Sequence, residues 1–233
     1  MRYFIIFAIL FVLSLATYKR DILWKDELAL WSDVQTAAPH KWRPHYRLGL
    51  YYYLHGSYDK ALDKFKVALD IKPDSPDIHN NIGLIYQRKG VLDEAIKEYT
   101  TAIQMEIKSS SAYLNIGTIY LKKGDLRTAL QWFREAMQKD PYDVVSIVNL
   151  GFTYGDMGEY QKAIEMHNKA LAIRPDYRTA HFGLGLAYEG TGDFEKSLWH
   201  WKEYLRIAPE DDGWRKEVFL HIESLNKMGF TVK

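Results

Sequence analysis

Eight histidines are the side chains of this sequence best suited to acid–base or metal chemistry, and their placement supports neither. His40, His45 and His55 lie close together but have no acidic or thiol companion at metal-binding spacing. The chain has no cysteine, which rules out thiolate metal sites and disulfides. No nucleophile elbow, phosphate-cradling glycine loop or HExxH helix occurs. We therefore expect no enzyme, with no catalytic residue, no metal and no cofactor. The chemistry that does recur is that of amides, because Asn81, Asn115 and Asn149 stand 34 residues apart. An amide both donates and accepts, which suits it to holding a peptide backbone whatever its side chains. Asparagines at this spacing could equally serve only to stabilise the fold.

The same step runs through the whole chain. Gly56, Gly90, Gly124, Gly158 and Gly192 are 34 residues apart without insertion or deletion, the mark of a stacked repeat. Blocks of 34 cover 42–75, 76–109, 110–143, 144–177 and 178–211. In the first half of each, an apolar residue precedes a glycine and a tyrosine follows three places later, as in Leu48, Gly49 and Tyr52. These offsets share one helical face. A glycine inside a helix costs about 1 kcal/mol against alanine, so its return in every block implies a neighbouring helix too close for a side chain. The second half carries small and bulky residues spaced for another amphipathic helix, such as Ala61, Phe65 and Ala68. Between the halves the period-marking glycine stops one helix, and Ser57, Asp125 and Asp193 are placed to cap the next. Pro73, Pro141, Pro175 and Pro209 close four blocks. His45, His79 and His181 share position 4 of their blocks and His167 takes the bulky position of the second helix, so packing accounts for half of the histidines.

From Trp42 to Asp211 the sequence resembles the tetratricopeptide repeat family. The resemblance implies an all-α fold, a right-handed solenoid of antiparallel helix pairs A and B. An N-terminal hydrophobic membrane helix and a C-terminal capping helix complete it. The expected parts are an anchor or signal segment at 1–20, a half-repeat helix at 21–41, five repeats at 42–211, and a cap and tail at 212–233. Ile107 stands where the second block should have its proline, so that helix is expected to run on towards Ser109. Ser197 and Tyr204 replace alanines of the fifth block and suggest a looser last interface. Trp214, Val218, Ile222 and Leu225 form the stripe of the capping helix.

Lys+Arg 31 against Asp+Glu 30 leaves a formal charge of +1, with no field to gather nucleic acid. The N-terminus is different in kind. Tyr3 to Ala16 is an almost unbroken apolar run with Arg2 before it and Lys19 and Arg20 after it. Extended to Tyr18 it makes roughly 24 Å of helix against a hydrocarbon core of about 30 Å, short but feasible for one anchor with snorkelling cations. Membrane attachment through residues 3–18 competes with a cleaved signal peptide, for which Ser14 and Ala16 supply small residues before the cut. Stepping back 34 from Phe65 and Pro73 reaches Trp31 and Pro39, so 21–41 reads as the helix B half of a sixth repeat, docked through Trp24 and Trp31. The string from Trp24 to Gly49 also resembles the membrane-to-repeat junction of protein O-mannosyltransferase-like membrane proteins. That resemblance implies a single-pass protein with extracytoplasmic repeats, and offers an alternative function as a non-catalytic accessory domain of an envelope glycosylation or polysaccharide-assembly system.

In the tetratricopeptide fold the concave wall is lined by helix A. Its lining positions carry Tyr46, Leu50 and Tyr53, then Asn81 and Leu84, then Leu114, Asn115 and Leu121, then Asn149 and Phe152, and finally Phe182 and Leu186. So apolar a groove points to a protein or peptide partner, extended or helical, with hydrophobic side chains. The competing readings are that these residues pack on the chain's own termini or on a second copy, and the end cap is a possible site of self-association. Repeats that clamp acidic chaperone tails need Lys and Asn where Tyr46 and Leu50 stand, which disfavours that ligand.

Overall fold

The computed structural model describes residues 27–106 and 109–230. Among them are twelve α-helices and no strand. They form two compact units, one ending at Glu106 and the other beginning at Ile107. The first unit holds α1 (Glu27–Ala37), α2 (Trp42–Leu54), α3 (Tyr58–Ile71), α4 (Pro76–Arg88) and α5 (Leu92–Gln104). The second holds α6 (Ser111–Lys122), α7 (Leu126–Lys139), α8 (Val144–Asp156), α9 (Tyr160–Ile173), α10 (Arg178–Thr191), α11 (Phe194–Ile207) and α12 (Arg215–Lys227). Within each unit every helix packs on its sequence neighbours, and in the second unit α8 also touches α10.

Each hairpin is built the same way. At the end of α2 the Ser57 N–H donates to Tyr52 O at 2.8 Å and the Gly56 N–H to Tyr53 O at 3.0 Å. These two bonds satisfy carbonyls that a helix end leaves open, and they require Gly56 at φ 70°. In the other hairpins the motif tyrosines Tyr86, Tyr120, Tyr154 and Tyr188 likewise accept, through their carbonyls, from the N–H five residues on. The helical glycine of the motif meets the bulky residue sixteen places on: a Cβ at Gly49 would lie 2.7 Å from Phe65, and one at Gly185 2.6 Å from Trp201. That close approach buries Phe65, Tyr99, Phe133 and Trp201 completely.

Four expectations need correction. The helix of the second block does not run on: α5 ends at Gln104, and Glu106 turns into the left-handed region at φ 57°. The last interface is not loose, since Ser197 and Tyr204 are buried, with Ser197 Oγ donating to Gly185 O at 2.9 Å and Tyr204 Oη to Asp212 Oδ1 at 2.7 Å. The cap α12 buries Val218 and Leu225 against Leu198, Trp201 and Tyr204, but Trp214 is 56% exposed and leaves the stripe. Asp125 and Asp193 cap their helices through their carboxylates, whereas Ser57 makes no side-chain cap.

In the first unit α1 buries no residue completely. It is held to the first hairpin by the Arg47 guanidinium 5.6 Å from the Trp31 ring and by Lys64 Nζ donating to Gln35 Oε1 at 2.6 Å. The apolar run at 3–18 and Trp24 lie outside the described residues. No helix among the described residues is long and apolar enough to cross a membrane.

Candidate functional site

In the first unit α2 carries Tyr46, Leu50 and Tyr53, and α4 carries Asn81 and Leu84, all half-buried. Asn81 Nδ2 donates to Tyr46 Oη at 3.1 Å and to Asp77 O at 2.9 Å. Both amide hydrogens are thereby committed, and only Oδ1 is left to accept from a ligand. Tyr46 leans on Phe65 with ring centroids 5.6 Å apart, and burial raises its phenol above the usual value. Tyr53 Oη accepts from Arg88 Nε at 3.4 Å. This wall is tied together by its own polar groups.

The second unit is arranged differently. Leu114, Asn115 and Leu121 on α6, Asn149 and Phe152 on α8, and Phe182 and Leu186 on α10 are again half-buried. Leu114 and Leu121 pack against the cluster around Phe133 and Leu150. The side-chain amides of Asn115 and Asn149 have no hydrogen-bond partner among the described residues. Asn149 lies three residues before Phe152, on the same helix face.

Phe152 separates two cavities. One, of about 300 Å³, has Phe182, Tyr204 and Trp214 for walls and Arg178, Thr179 and Asp212 at its polar side. Phe182 is the hub, with the rings of Trp201, Tyr204 and Trp214 at 5.1, 5.7 and 5.5 Å. Asp212 accepts from Tyr204 Oη and the Trp214 N–H and pairs with Arg178 Nε at 3.1 Å, which together hold its carboxyl below the usual carboxylate range. The other cavity, of about 320 Å³, lies over His167 and is bounded by Gly151, Gly155, Gly183 and Gly190. Nothing in the sequence pattern signals that missing side chains at Gly155 and Gly183 open a hollow beside Phe152.

The histidines are structural where the described residues show their partners. His45 Nε2 donates to Pro39 O at 2.9 Å and His181 Nε2 to Pro175 O at 3.3 Å, so position 4 ties helix A to the proline that closes the preceding block. With that tautomer, His181 Nδ1 accepts from His200 Nδ1 at 3.0 Å. His79 instead meets Glu98 Oε2 at 2.7 Å, and His55 bonds Tyr51 O at 2.8 Å. Among the described residues no three His, Asp or Glu side chains are grouped to hold a metal ion.

A family model described as "Tetratricopeptide repeat" matches residues 74–140 and 143–210, and one described as "TPR repeat" matches 49–90. The chain belongs to the tetratricopeptide repeat family. Among solved structures it is similar in fold to the MamA protein, at 22% identity and TM-score 0.61 over 82% of this chain and 97% of that one. It is likewise similar to YrrB, described as a TPR protein with an unusual peptide-binding site, at 16% identity and TM-score 0.63 over 83% and 97%. A third neighbour is pilF of Pseudomonas aeruginosa, at 19% identity and TM-score 0.71 over 81% and 84%. No curated protein matches the sequence.

Proposed function

We propose that this chain is a membrane-tethered scaffold that holds an extended peptide segment of a partner protein against the helix A wall of its second unit. The observation that carries the reading is the pair of cavities flanking Phe152, with the unpartnered Asn149 amide on the same face. In an extended segment, alternate side chains point the same way about 6.6 Å apart. Two neighbouring hollows beside a bare amide therefore suit two side chains and the backbone between them. The similarity in fold to YrrB supports a peptide as the ligand class. The tether rests on the apolar run from Tyr3 to Tyr18.

Panning a random-peptide phage library on the intact chain tests the wall. Selected peptides should carry an apolar residue and should bind an Asn115→Ala/Asn149→Ala double variant about tenfold more weakly or worse. Peptides that bind both forms equally would place the site elsewhere. For the tether, proteolysis of intact cells and the mass of the mature chain should show a chain that keeps residues 3–18 and sediments with membranes. A mature mass lacking that segment refutes it.

A further inference from the structure

We propose that the glycine-walled cavity over His167 is a pocket for one basic side chain, arginine or lysine. The proposal deepens the reading of the second unit's wall as a peptide groove and rests on it.

The hollow is not a mere by-product of close packing. At Gly183 a Cβ would strike His167 at 2.2 Å, and at Gly190 it would strike Tyr160 at 2.5 Å, so packing alone forbids side chains there. Gly155 is different. A Cβ at that position would meet only Ala163 Cβ, at 4.0 Å, and its backbone is not left-handed. A helical glycine that packing does not require costs stability, and what its missing side chain leaves is open volume.

The walls then select the occupant. Phe152, Ala163, Leu186 and Ala187 make an apolar shaft, and Asp156 and Glu189 bring carboxylates to it. Asp156 has no ion-pair partner among the described residues, and desolvation raises its carboxyl above the ordinary value, as expected of an uncompensated charge at a cavity mouth. Glu189 is partly engaged: its carboxylate accepts from Trp201 Nε1 at 2.8 Å and stands 3.0 Å from His221 Nδ1. No lining residue supplies a cation, since burial drives His167 down to about 3 and keeps it neutral. An apolar stem with a cationic head is the chemistry that fits a greasy shaft ending in a carboxylate. The Tyr160 ring at the same opening adds a face for the cation.

The absence of cysteine makes a direct test possible. A single thiol introduced by Gly155→Cys sits where a Cβ has room, and its thiolate attacks small symmetric disulfides to give a mixed disulfide and one released small thiol, so the exchange equilibrium reads what the cavity prefers. In the full chain, with each disulfide poised against its own thiol, the 2-aminoethanethiol half of cystamine should be captured about tenfold over the 2-mercaptoethanol half of hydroxyethyl disulfide, with the 3-mercaptopropionate half of dithiodipropionate weakest, as one charge-assisted contact would give. Adding Asp156→Asn should abolish most of that preference while the circular dichroism and thermal midpoint stay unchanged. Equal capture of the three thiols, or a cationic preference that survives Asp156→Asn, overturns the proposal. Because the probe is delivered covalently, the result does not depend on any partner. Lack of cation preference alongside phage peptides that still need Asn115 and Asn149 removes the pocket and leaves the groove, whereas the reverse pattern removes the groove.

Discussion

Gly183 stands so close to His167 that a Cβ on position 183 would lie 2.2 Å from Nε2 of the imidazole. The ring is 1% exposed and is pressed from its other neighbour too, since a Cβ at Gly151 would lie 2.7 Å away. Gly183→Ala must push a fully packed ring or a helix aside, and should destabilise the second unit by about 1–3 kcal/mol. Gly155→Ala is the matched control. With no clash and better helix propensity it should raise stability by up to about 1 kcal/mol. Urea unfolding of the two variants should move the midpoint in opposite directions, and a shared sign would contradict the packing described for this cavity.

Buried histidines give the second unit a pH dependence of known sign. Burial lowers His167 to about 3, and burial together with the neighbouring His181 lowers His200 to about 4. An unfolded histidine titrates near ~6.5. Below that pH the unfolded chain binds more protons than the folded one, so stability is full above about 6.5 and falls as the pH drops towards 3–4. For His167 alone the loss between pH 7 and pH 5 is on the order of 2 kcal/mol. Phe65 and Phe133 hold the same lattice position in other blocks, so His167→Phe should fold and should remove that share of the slope. Urea midpoints at the two pH values, compared between the chains, decide it; an unchanged slope counts against the buried neutral imidazole.

The asparagines of the wall separate into two kinds. Asn81 gives both amide hydrogens to Tyr46 Oη and Asp77 O, so Asn81→Ala should cost the first unit about 0.5–1.5 kcal/mol. Asn115 and Asn149 have no such partners, and alanine there should be neutral or raise stability by a few tenths of a kcal/mol through helix propensity. Thermal melts of the three single variants test this ordering. A loss for Asn149→Ala as large as for Asn81→Ala would mean that its amide holds the fold together.

The lattice was legible because its determinants are local and repeated. A glycine, a tyrosine three places on and an aromatic sixteen places on specify the hairpin, and a Cβ at the glycine would come within 2.6–2.7 Å of the aromatic in the Gly117–Phe133 and Gly83–Tyr99 pairs alike. What the sequence hid depends on several helices at once. Nothing local says that His167 on α9 fills the space facing both Gly151 and Gly183, and so the cavity beside it was invisible. Ser197 and Tyr204 looked like weak packing because they stand where other blocks have alanine, yet each hydroxyl finds a specific acceptor, Gly185 O and Asp212 Oδ1. The turn after α5 misled for the opposite reason. The missing proline at Ile107 suggested a longer helix, but a helix also ends wherever a residue can enter the left-handed region, and Glu106 does so.

Glu106 at φ 57° makes the last prediction. A left-handed residue with a Cβ bears a steric cost of roughly 1–2 kcal/mol that glycine escapes, although glycine loses more backbone freedom on folding. The five hairpin turns with glycine in the same conformation, φ between 70° and 79°, show the preference at work in this chain. Glu106→Gly should therefore stabilise the first unit by about 0.5–1 kcal/mol, with no change in the second. Hydrogen exchange read segment by segment would show slower opening of α4 and α5 alone. A loss of protection there would mean that the Glu106 side chain, and not its backbone, secures the turn.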